Sequence, residues 1–262
     1  MNKKLLLLLF IGFFALLIWG TEKPVAAQET PKKESNQEKI IDYTLWENVL
    51  STYVDKHGQV NYKTLKSNRT ELDQFIKYIE KVDIKKLSTK NEIKAFWINA
   101  YNAITIQVAI DNYPFKSFRM LNFGLVWKLP RNIAQTKHSL EHIEHKIIRK
   151  MRDPRIHFAL NCASIGCPRL PMEPFYPDKL EEQLDYETWR FINDPERIRL
   201  DQSTQTLYYS ELLDWYEKDF LAVSKDITTY IKRYLNKDDQ KYLENNNVKL
   251  KKIKYDWGLN EQ

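Results

Sequence analysis

The sequence predicts an α+β domain, mainly helical, with a small, largely antiparallel sheet and a central buried helix at about residues 90–111. Several segments carry apolar residues at the spacing of a helix with one buried face. Residues 90–111 are instead apolar almost all round, as expected of a buried helix. Short alternating segments at 197–201, 206–210 and 248–257 are typical of strands. Helices and a few strands in separate parts of the chain favour the α+β class.

The N-terminus has the pattern of a signal peptide over residues 1–27. Lys3 and Lys4 precede an apolar run, and Val25-Ala26-Ala27 fits a small-residue cleavage site. The run is shorter than the ~20 residues of a spanning helix, which favours cleavage over an uncleaved anchor. We expect an exported protein, periplasmic or secreted. The polar residues 28–39 predict a flexible linker, and 40–262 a single globular domain.

Composition argues against several classes of partner. The formal charge is +6, but the lysines are spread along the chain rather than clustered with aromatic residues, so no nucleic-acid partner is predicted. With only 6 glycines and no phosphate-cradling loop, no nucleotide or other cofactor is predicted. We expect an unknown small peptide or envelope ligand, and membrane contact only through an uncleaved signal segment.

Three helices are predicted before residue 112. The first covers about 43–54, and a short extended piece follows at 60–62. The second covers about 70–81 and carries a core stripe of Leu72, Phe75, Ile76 and Ile79. Thr89 and Glu92 form a capping box that opens the third, the central helix.

Asn99 and Asn102 share one face of the central helix with small and apolar residues. Buried amides must be hydrogen-bonded. One interpretation is that they tie neighbouring loops to the helix. The functional interpretation is that one of them orients a catalytic histidine or a substrate amide.

The helix predicted at about 139–151 carries a carboxylate near its apolar face. Glu144 lies only about 40° from the centre of the stripe, so we expect it to be partly buried and to have a partner. His145 lies on the flank of the stripe, whereas His142 points away from it. The stripe consists of Leu140, Ile143, Ile147 and Met151.

Residues 155–168 alternate in character, which predicts a strand that ends at Gly166 and Pro168. Cys162 would lie at the C-terminal end of this strand beside Ser164, a suitable place for a nucleophile. The alternative is a buried, inert cysteine, because free cysteines are among the most buried residue types. Further along, we predict a helix to about 192, a hairpin at 197–210, a short helix with Leu212, Leu213 and Trp215, a helix at about 225–236, and a final strand at 248–257.

Several of these segments, in this order, resemble the domain-of-unknown-function family 547 over about residues 43–260. They are Val60-Asn61-Tyr62, AFWINAYNAITI (95–106), IEHKIIR (143–149), HFALNCASIGCP (157–168) and YDWGLN (255–260). The family has no settled activity, so the resemblance implies a shared fold and shared polar positions. Those positions fall here on Asn99, Asn102, Glu144, His145, Arg149 and Cys162. Cys167 matches a position where other members often have Ser, which argues against an essential disulfide or two-cysteine metal site.

The first functional hypothesis is a Cys-His hydrolase or acyl transferase acting on an amide or thioester. Cys162 would be the nucleophile and His145 the base, because a nearby imidazolium lowers a thiol's pKa. Glu144, Asn99 or Asn102 would orient the imidazole, and Arg149 and Ser164 would bind substrate. All five histidines precede Cys162, which excludes the chain order of papain-like enzymes without permutation.

Three alternatives remain open from the sequence. In the first, the domain is a non-catalytic envelope binding or structural domain, and Glu144, His145, Arg149 and the two asparagines form a structural network. In the second, His142, His145, Cys162 and Cys167 would hold a zinc ion, although His142 faces away and the cysteine spacing is loose. In the third, a Cys162–Cys167 disulfide would form in the oxidising compartment and either control the reactivity of the thiol or cross-link the loop.

Overall fold

The computed structural model describes residues 41–262, which fall within one compact unit. The predicted signal peptide (1–27), the predicted linker (28–39) and the first residue of the predicted domain (40) lie outside these residues. No helix within 41–262 is long and apolar enough to cross a membrane. The α+β class is confirmed, because residues 41–262 contain ten α-helical segments and two small sheets.

The helices are mostly short and surround one long central helix. Helix α5 combines an α-helical turn at Leu140–His142, a π-helical segment at Ile143–Ile148 and a 3₁₀ turn at Arg149–Met151. The others are α1 (Thr44–Tyr53), α2 (Tyr62–Ser67), α3 (Thr70–Lys81), α4 (Lys90–Asn112), α6 (Leu180–Ile192), α7 (Glu211–Trp215), α8 (Glu217–Leu221), α9 (Ile227–Lys232) and α10 (Lys237–Asn245). Further 3₁₀ segments are Ile84–Lys86, Phe118–Lys128 and Pro154–Phe158.

Two separate sheets contain the strands. Strands β1 (Arg131–Ile133) and β2 (Thr136–His138) form an antiparallel hairpin. The second sheet has the order β3 (Ile198–Asp201), β4 (Thr206–Ser210), β5 (Lys249–Ile253). The β3–β4 hairpin is antiparallel as predicted, with Ile198 opposite Tyr209, whereas β5 pairs with β4 in parallel. The sheet content is therefore largely, but not wholly, antiparallel.

Helix α4 is the buried centre that its composition predicts. The predicted capping box is present: the Thr89 hydroxyl accepts from the backbone N–H of Glu92, whose carboxylate accepts from the N–H of Thr89. Sixteen of its residues are buried, including both amides. Helices α2, α3 and α5 pack around it, and Trp46 of α1 donates a hydrogen bond to Asn99. The main core therefore surrounds α4, and a smaller apolar cluster lies between α6, β3, β4 and α9.

The prediction of a strand that begins at residue 155 is wrong. Pro154–Phe158 forms a 3₁₀ turn, with Pro154 in its first turn and the Asp153 carboxylate accepting from the N–H of Arg155. The residues from Ile156 to Leu160 are all buried, so burial does not alternate along this segment. Alternation of residue type therefore carried no information on secondary structure here.

Three of the described helices were not predicted, and one of them, α8, lies between the predicted short helix that ends near Trp215 and the helix predicted at about 225–236. Helix α10 has no buried residue, so it lacks the apolar stripe on which a periodicity argument depends. Helix α2 is only six residues long and follows the predicted extended piece, where Val60 forms isolated bridges to Val54 and Glu261. The side chain of Asn61 caps helix α2 by accepting a hydrogen bond from the N–H of Thr64.

Candidate functional site

A cavity of about 290 Å³ lies between α4, α5, α7 and the chain around residues 160–167. Its volume is near the lower end of small-molecule sites, roughly 300–1,000 Å³. Leu160, Leu212 and six aromatic rings supply most of its apolar wall. The rings are those of Tyr101, Trp127, Trp215, Tyr216, Tyr255 and Trp257.

Glu144 lies in this cavity and is the partly buried carboxylate that the sequence predicts. Its side chain is 13% exposed. The hydroxyl of Tyr216 donates to its Oε1 at 2.5 Å, and the hydroxyl of Tyr101 donates to its Oε2 at 3.3 Å. Burial first, and then the charge of Glu144, raise the pKa of both phenols well above the ordinary value. Both hydroxyls therefore stay protonated and act as donors.

His145 lines the same cavity, one residue further along α5. Its Nδ1 lies 3.1 Å from a guanidinium nitrogen of Arg149, which always carries protons, so Nδ1 must accept. The neutral ring consequently carries its proton on Nε2. His145 thus offers a hydrogen-bond donor, rather than a free base, on the side away from Arg149.

A second network, not predicted from the sequence, lies beside Glu144. The Asp219 carboxylate on α8 accepts two hydrogen bonds from Arg149, at 2.6 and 2.9 Å, and one from Nε2 of His157 at 2.7 Å. The bond from His157 and the pairing with Arg149 hold the pKa of Asp219 far below its usual range. Burial lowers the pKa of His157, so this histidine is neutral and donates to Asp219. Its ring stacks on Tyr216 at 3.8 Å between centroids.

Asn99 and Asn102 contact loops. Asn99 exchanges hydrogen bonds with the backbone of Phe175 at 2.8 and 3.0 Å and accepts one from Trp46. Asn102 donates to the carbonyl of Ala159 and accepts from the N–H of Asn161, both at 2.9 Å. Across residues 41–262 no hydrogen bond joins either amide to His145. Asn102 instead positions the chain that leads into Cys162.

Cys162 and Cys167 form a disulfide, with their Cα atoms 6.2 Å apart. The free thiol that a Cys162 nucleophile requires is therefore absent in this state. Cys162 is partly exposed to the cavity, whereas Cys167 is only 5% exposed. The hydroxyl of Tyr255 lies 3.0 Å from Sγ of Cys162, and the N–H of Cys162 donates to Sγ of Cys167 at 2.8 Å.

The chain between the two cysteines has an unusual conformation. Ala163 has φ of 59°, in the left-handed region that a side chain disfavours. Its N–H donates to the side chain of Asn161 at 2.8 Å, which holds it in place. Ser164 is buried and lies 3.7 Å from Sγ of Cys162, so the predicted neighbourhood of Cys162 and Ser164 is present.

The predicted site residues thus fall into two groups. Glu144, His145 and Cys162 line the cavity, and Arg149 and Ser164 contact His145 and Cys162 respectively. Asn99 and Asn102 support the surrounding loops. In the described part of the chain no group of three or more His, Cys, Asp or Glu side chains is placed to hold a metal ion.

Sequence reasoning missed most of the aromatic wall and the pair of Asp219 and His157. Arg149 and Asp219 are 70 residues apart, and no local pattern connects them. Tyr255 and Trp257 had a signal, because both lie in the YDWGLN segment of the family resemblance. For Trp215 the sequence offered no signal beyond its place in a short amphipathic segment.

The fold and this cavity define an α+β domain with a ligand-sized aromatic cavity and a disulfide in its wall. Within it, residues 84–192 match the family described as "Protein of unknown function, DUF547". The resemblance predicted from the sequence is confirmed over that segment, which contains the motifs at 95–106, 143–149 and 157–168. The motifs at 60–62 and 255–260 lie outside it. No curated protein and no solved structure matches the chain.

Proposed function

We propose that the domain binds a small ligand that has an aromatic or apolar body and a cationic amino group. One observation carries this proposal: among residues 41–262, the partly buried carboxylate of Glu144 has no charged hydrogen-bond partner. Its direct donors are the neutral phenols Tyr101 and Tyr216. A buried charge is ordinarily paired, so a ligand cation would complete the arrangement.

The basic side chains nearest to Glu144 are already engaged. Nδ1 of His145 lies 3.7 Å away but accepts from Arg149, so it is unprotonated. Arg149 itself forms a bidentate pair with Asp219. These contacts leave the negative charge of Glu144 available to a ligand.

The aromatic wall supports the second part of the proposal. Trp215 is 45% exposed and stacks on Trp257, with centroids 5.5 Å apart. Tyr255 contacts both rings, at 4.8 and 4.6 Å. An exposed indole face attracts both apolar groups and cations. The wall therefore suits the body of the ligand, and Glu144 suits its amino group.

Calorimetry with tyramine and tyrosol tests this proposal, since the two differ only in an ammonium in place of a hydroxyl. We expect tyramine to bind at least tenfold more tightly, about 1.4 kcal/mol. Glu144→Gln should abolish that preference. Glu141→Gln is the matched control, because Glu141 lines the same cavity but is half-exposed and lies 3.8 Å from Lys128. Equal affinities in the unmodified protein, or a preference that survives Glu144→Gln, would contradict the proposal.

We infer a second candidate function for the reduced protein, the transfer of an acyl group through Cys162. The neighbouring hydroxyl of Tyr255 favours it, because a hydrogen bond to sulfur stabilises a thiolate. The Cys162 thiolate would attack the carbonyl carbon of a thioester, and the bond from that carbon to the leaving sulfur would break. Nε2–H of His145 would donate a hydrogen bond to the leaving thiolate, and water or an amine would then take the acyl group from Cys162 and release the thiolate again. This assigns His145 a role as donor instead of base.

Hydrolysis of phenyl thioacetate after reduction with a phosphine tests the second candidate. Cys162→Ser should abolish the activity, and Cys167→Ser should keep it and make it independent of the reductant. Hydrolysis that is unchanged in Cys162→Ser would exclude Cys162 as the nucleophile.

A further inference from the structure

The disulfide between Cys162 and Cys167 is not needed to fix its own loop. Five backbone or amide hydrogen bonds hold residues 161–168 independently of the sulfurs. The side chain of Asn161 binds the carbonyl of Pro168 and the N–H of Ala163, both at 2.8 Å. The N–H groups of Ile165 and Gly166 bind the C-terminal segment at 2.7 Å each, and the N–H of Cys167 binds the carbonyl of Ser164 at 3.0 Å.

The disulfide also closes a very short loop, with a sequence separation of 5. Stabilisation by a cross-link grows with the length of the loop that it closes, so this one contributes near the lower end. This cross-link adds little to stability, and hydrogen bonds already hold the loop that it spans. The disulfide can therefore open and close while the fold is retained.

The two sulfurs are inequivalent. Both cysteines line the aromatic cavity, but Cys162 is partly exposed whereas Cys167 is only 5% exposed. A thiol that enters the cavity would therefore meet Cys162 first. The cavity volume of about 290 Å³ suits a small thiol and excludes a folded protein.

Each sulfur has a donor suited to a thiolate. A disulfide sulfur carries no proton, so in the contact at 3.0 Å the hydroxyl of Tyr255 donates to Cys162. The N–H of Cys162 donates to the sulfur of Cys167 at 2.8 Å. Burial raises the pKa of Tyr255 above its ordinary value, so the phenol remains a donor in the neutral range. Such donors lower the pKa of a thiol and improve it as a leaving group.

We propose that Cys162 and Cys167 form a redox-active pair that exchanges with a low-molecular-mass thiol through the aromatic cavity. The thiolate of the small thiol attacks Sγ of Cys162. A bond forms between these two sulfurs, the Cys162–Cys167 bond breaks, and Cys167 leaves as a thiolate beside the N–H of Cys162. A second small thiolate then attacks the ligand sulfur and releases Cys162 as a thiolate. The protein gains two electrons, and two molecules of thiol become one disulfide.

The asymmetry between the cysteines is the first test. Cys167→Ser and Cys162→Ser proteins are each incubated with 2-hydroxyethyl disulfide, and the adduct is followed by mass spectrometry. We expect the adduct on Cys162 to form at least tenfold faster than the adduct on Cys167. In the reduced unsubstituted protein, a brief pulse of iodoacetamide should label Cys162 first. Equal labelling, or faster labelling of Cys167, would overturn the proposal.

Reversibility is the second test. In buffers of 2-mercaptoethanol and its disulfide, the pair should reduce and reoxidise while near-ultraviolet circular dichroism stays native. Reduction that occurs only together with unfolding would make the disulfide a structural staple and overturn the proposal. Tyr255→Phe should shift the pH profile of Cys162 alkylation upward. If Tyr255→Phe does not fold, Ser164→Ala should shift the same pH profile upward, because it removes the hydroxyl that lies 3.7 Å from Sγ of Cys162.

Discussion

Asn102 accepts a hydrogen bond from the backbone N–H of Asn161, the residue before Cys162, at 2.9 Å. Its amide group also donates to the carbonyl of Ala159 at 2.9 Å. One side chain of the central helix thus holds the chain on both sides of Leu160. This contact connects the most buried helix of the fold to the wall of the candidate site.

Asn102→Ala should therefore affect both stability and the site. Two buried hydrogen bonds are lost, and each missing partner costs about 1–3 kcal/mol. The sum of about 2–6 kcal/mol corresponds to a decrease of roughly 4–24 °C in the melting temperature at about 2–4 °C per kcal/mol. We also expect faster reduction of the disulfide. Asn99→Ala is the matched control, because it should lower stability similarly and leave the rate of disulfide reduction unchanged. The two variants should be compared by calorimetry and by thiol trapping. The same reduction rate in both would show that Asn102 has no special link to the cysteines.

The hydroxyl of Tyr216 should stabilise the ionised Glu144 more than that of Tyr101 does, because the bond is 2.5 Å rather than 3.3 Å. A hydrogen bond to a charged group contributes about 1.5–3 kcal/mol. We expect Tyr216→Phe to lower the free energy of unfolding by that amount at pH 7, and Tyr101→Phe to lower it by less. Urea unfolding measures both. In the Glu144→Gln background the difference between the two tyrosines should shrink, and an unchanged difference would show that it does not arise from the carboxylate.

Stability in acid should depend on Asp153. Burial raises its pKa, but the stronger combined effect of hydrogen bonds and charge from Arg155 and Lys94 holds it at about 2. An unfolded aspartate titrates near 3.9, so the ion pair contributes fully above about pH 4 and is lost as pH falls through about 2. The stabilisation lost over that range is about 2–3 kcal/mol.

Unfolding of Asp153→Asn measured from pH 7 to pH 2 tests this. The variant should be less stable than the unsubstituted protein by about 3–5 kcal/mol at pH 7, because Lys94 loses its buried partner. The difference in the free energy of unfolding between the two proteins should decrease towards pH 2. Asp185→Asn is the control, since this carboxylate binds the same Arg155 at 3.0 Å but is 60% exposed. A surface partner of this kind should contribute no more than about 1 kcal/mol. A constant gap across the pH range would contradict the prediction.

Gly58 is required where its turn packs on the chain after Pro168. It has φ of 79°, and an added Cβ would lie 2.5 Å from Cβ of Arg169 and 2.7 Å from the N of Leu170. Gly58→Ala combines a left-handed side chain, about 1–2 kcal/mol, with overpacking of about 1–3 kcal/mol. Gly124 has a similar φ of 77° but open surroundings, with Arg119 O at 3.8 Å. Gly124→Ala should therefore show only the smaller conformational cost in chemical denaturation. Equal costs for the two variants would exclude the packing contribution at Gly58.

The helical part of the fold was largely predictable because its signals are local. Helix α3 covers the predicted range of 70–81 around its apolar stripe, and α4 begins at the capping box of Thr89 and Glu92. The partial burial of Glu144 followed from its angle to the apolar stripe of α5. The strand prediction at 154–158 was wrong because both faces of this segment are buried. The alternation of residue types there therefore has no physical cause in burial.

The sequence by itself determined the helical class, the buried amides of α4, the exposed position of His142 and the proximity of Cys162 to Ser164. Each follows from periodicity or from a few neighbouring residues. Only the tertiary structure decided what those groups contact. It paired Asp219 with Arg149 and His157, gave Glu144 two phenols, and brought Tyr255 from 93 residues away to the sulfur of Cys162. Contacts between distant segments depend on how several helices pack together, and no local pattern in the chain records that packing.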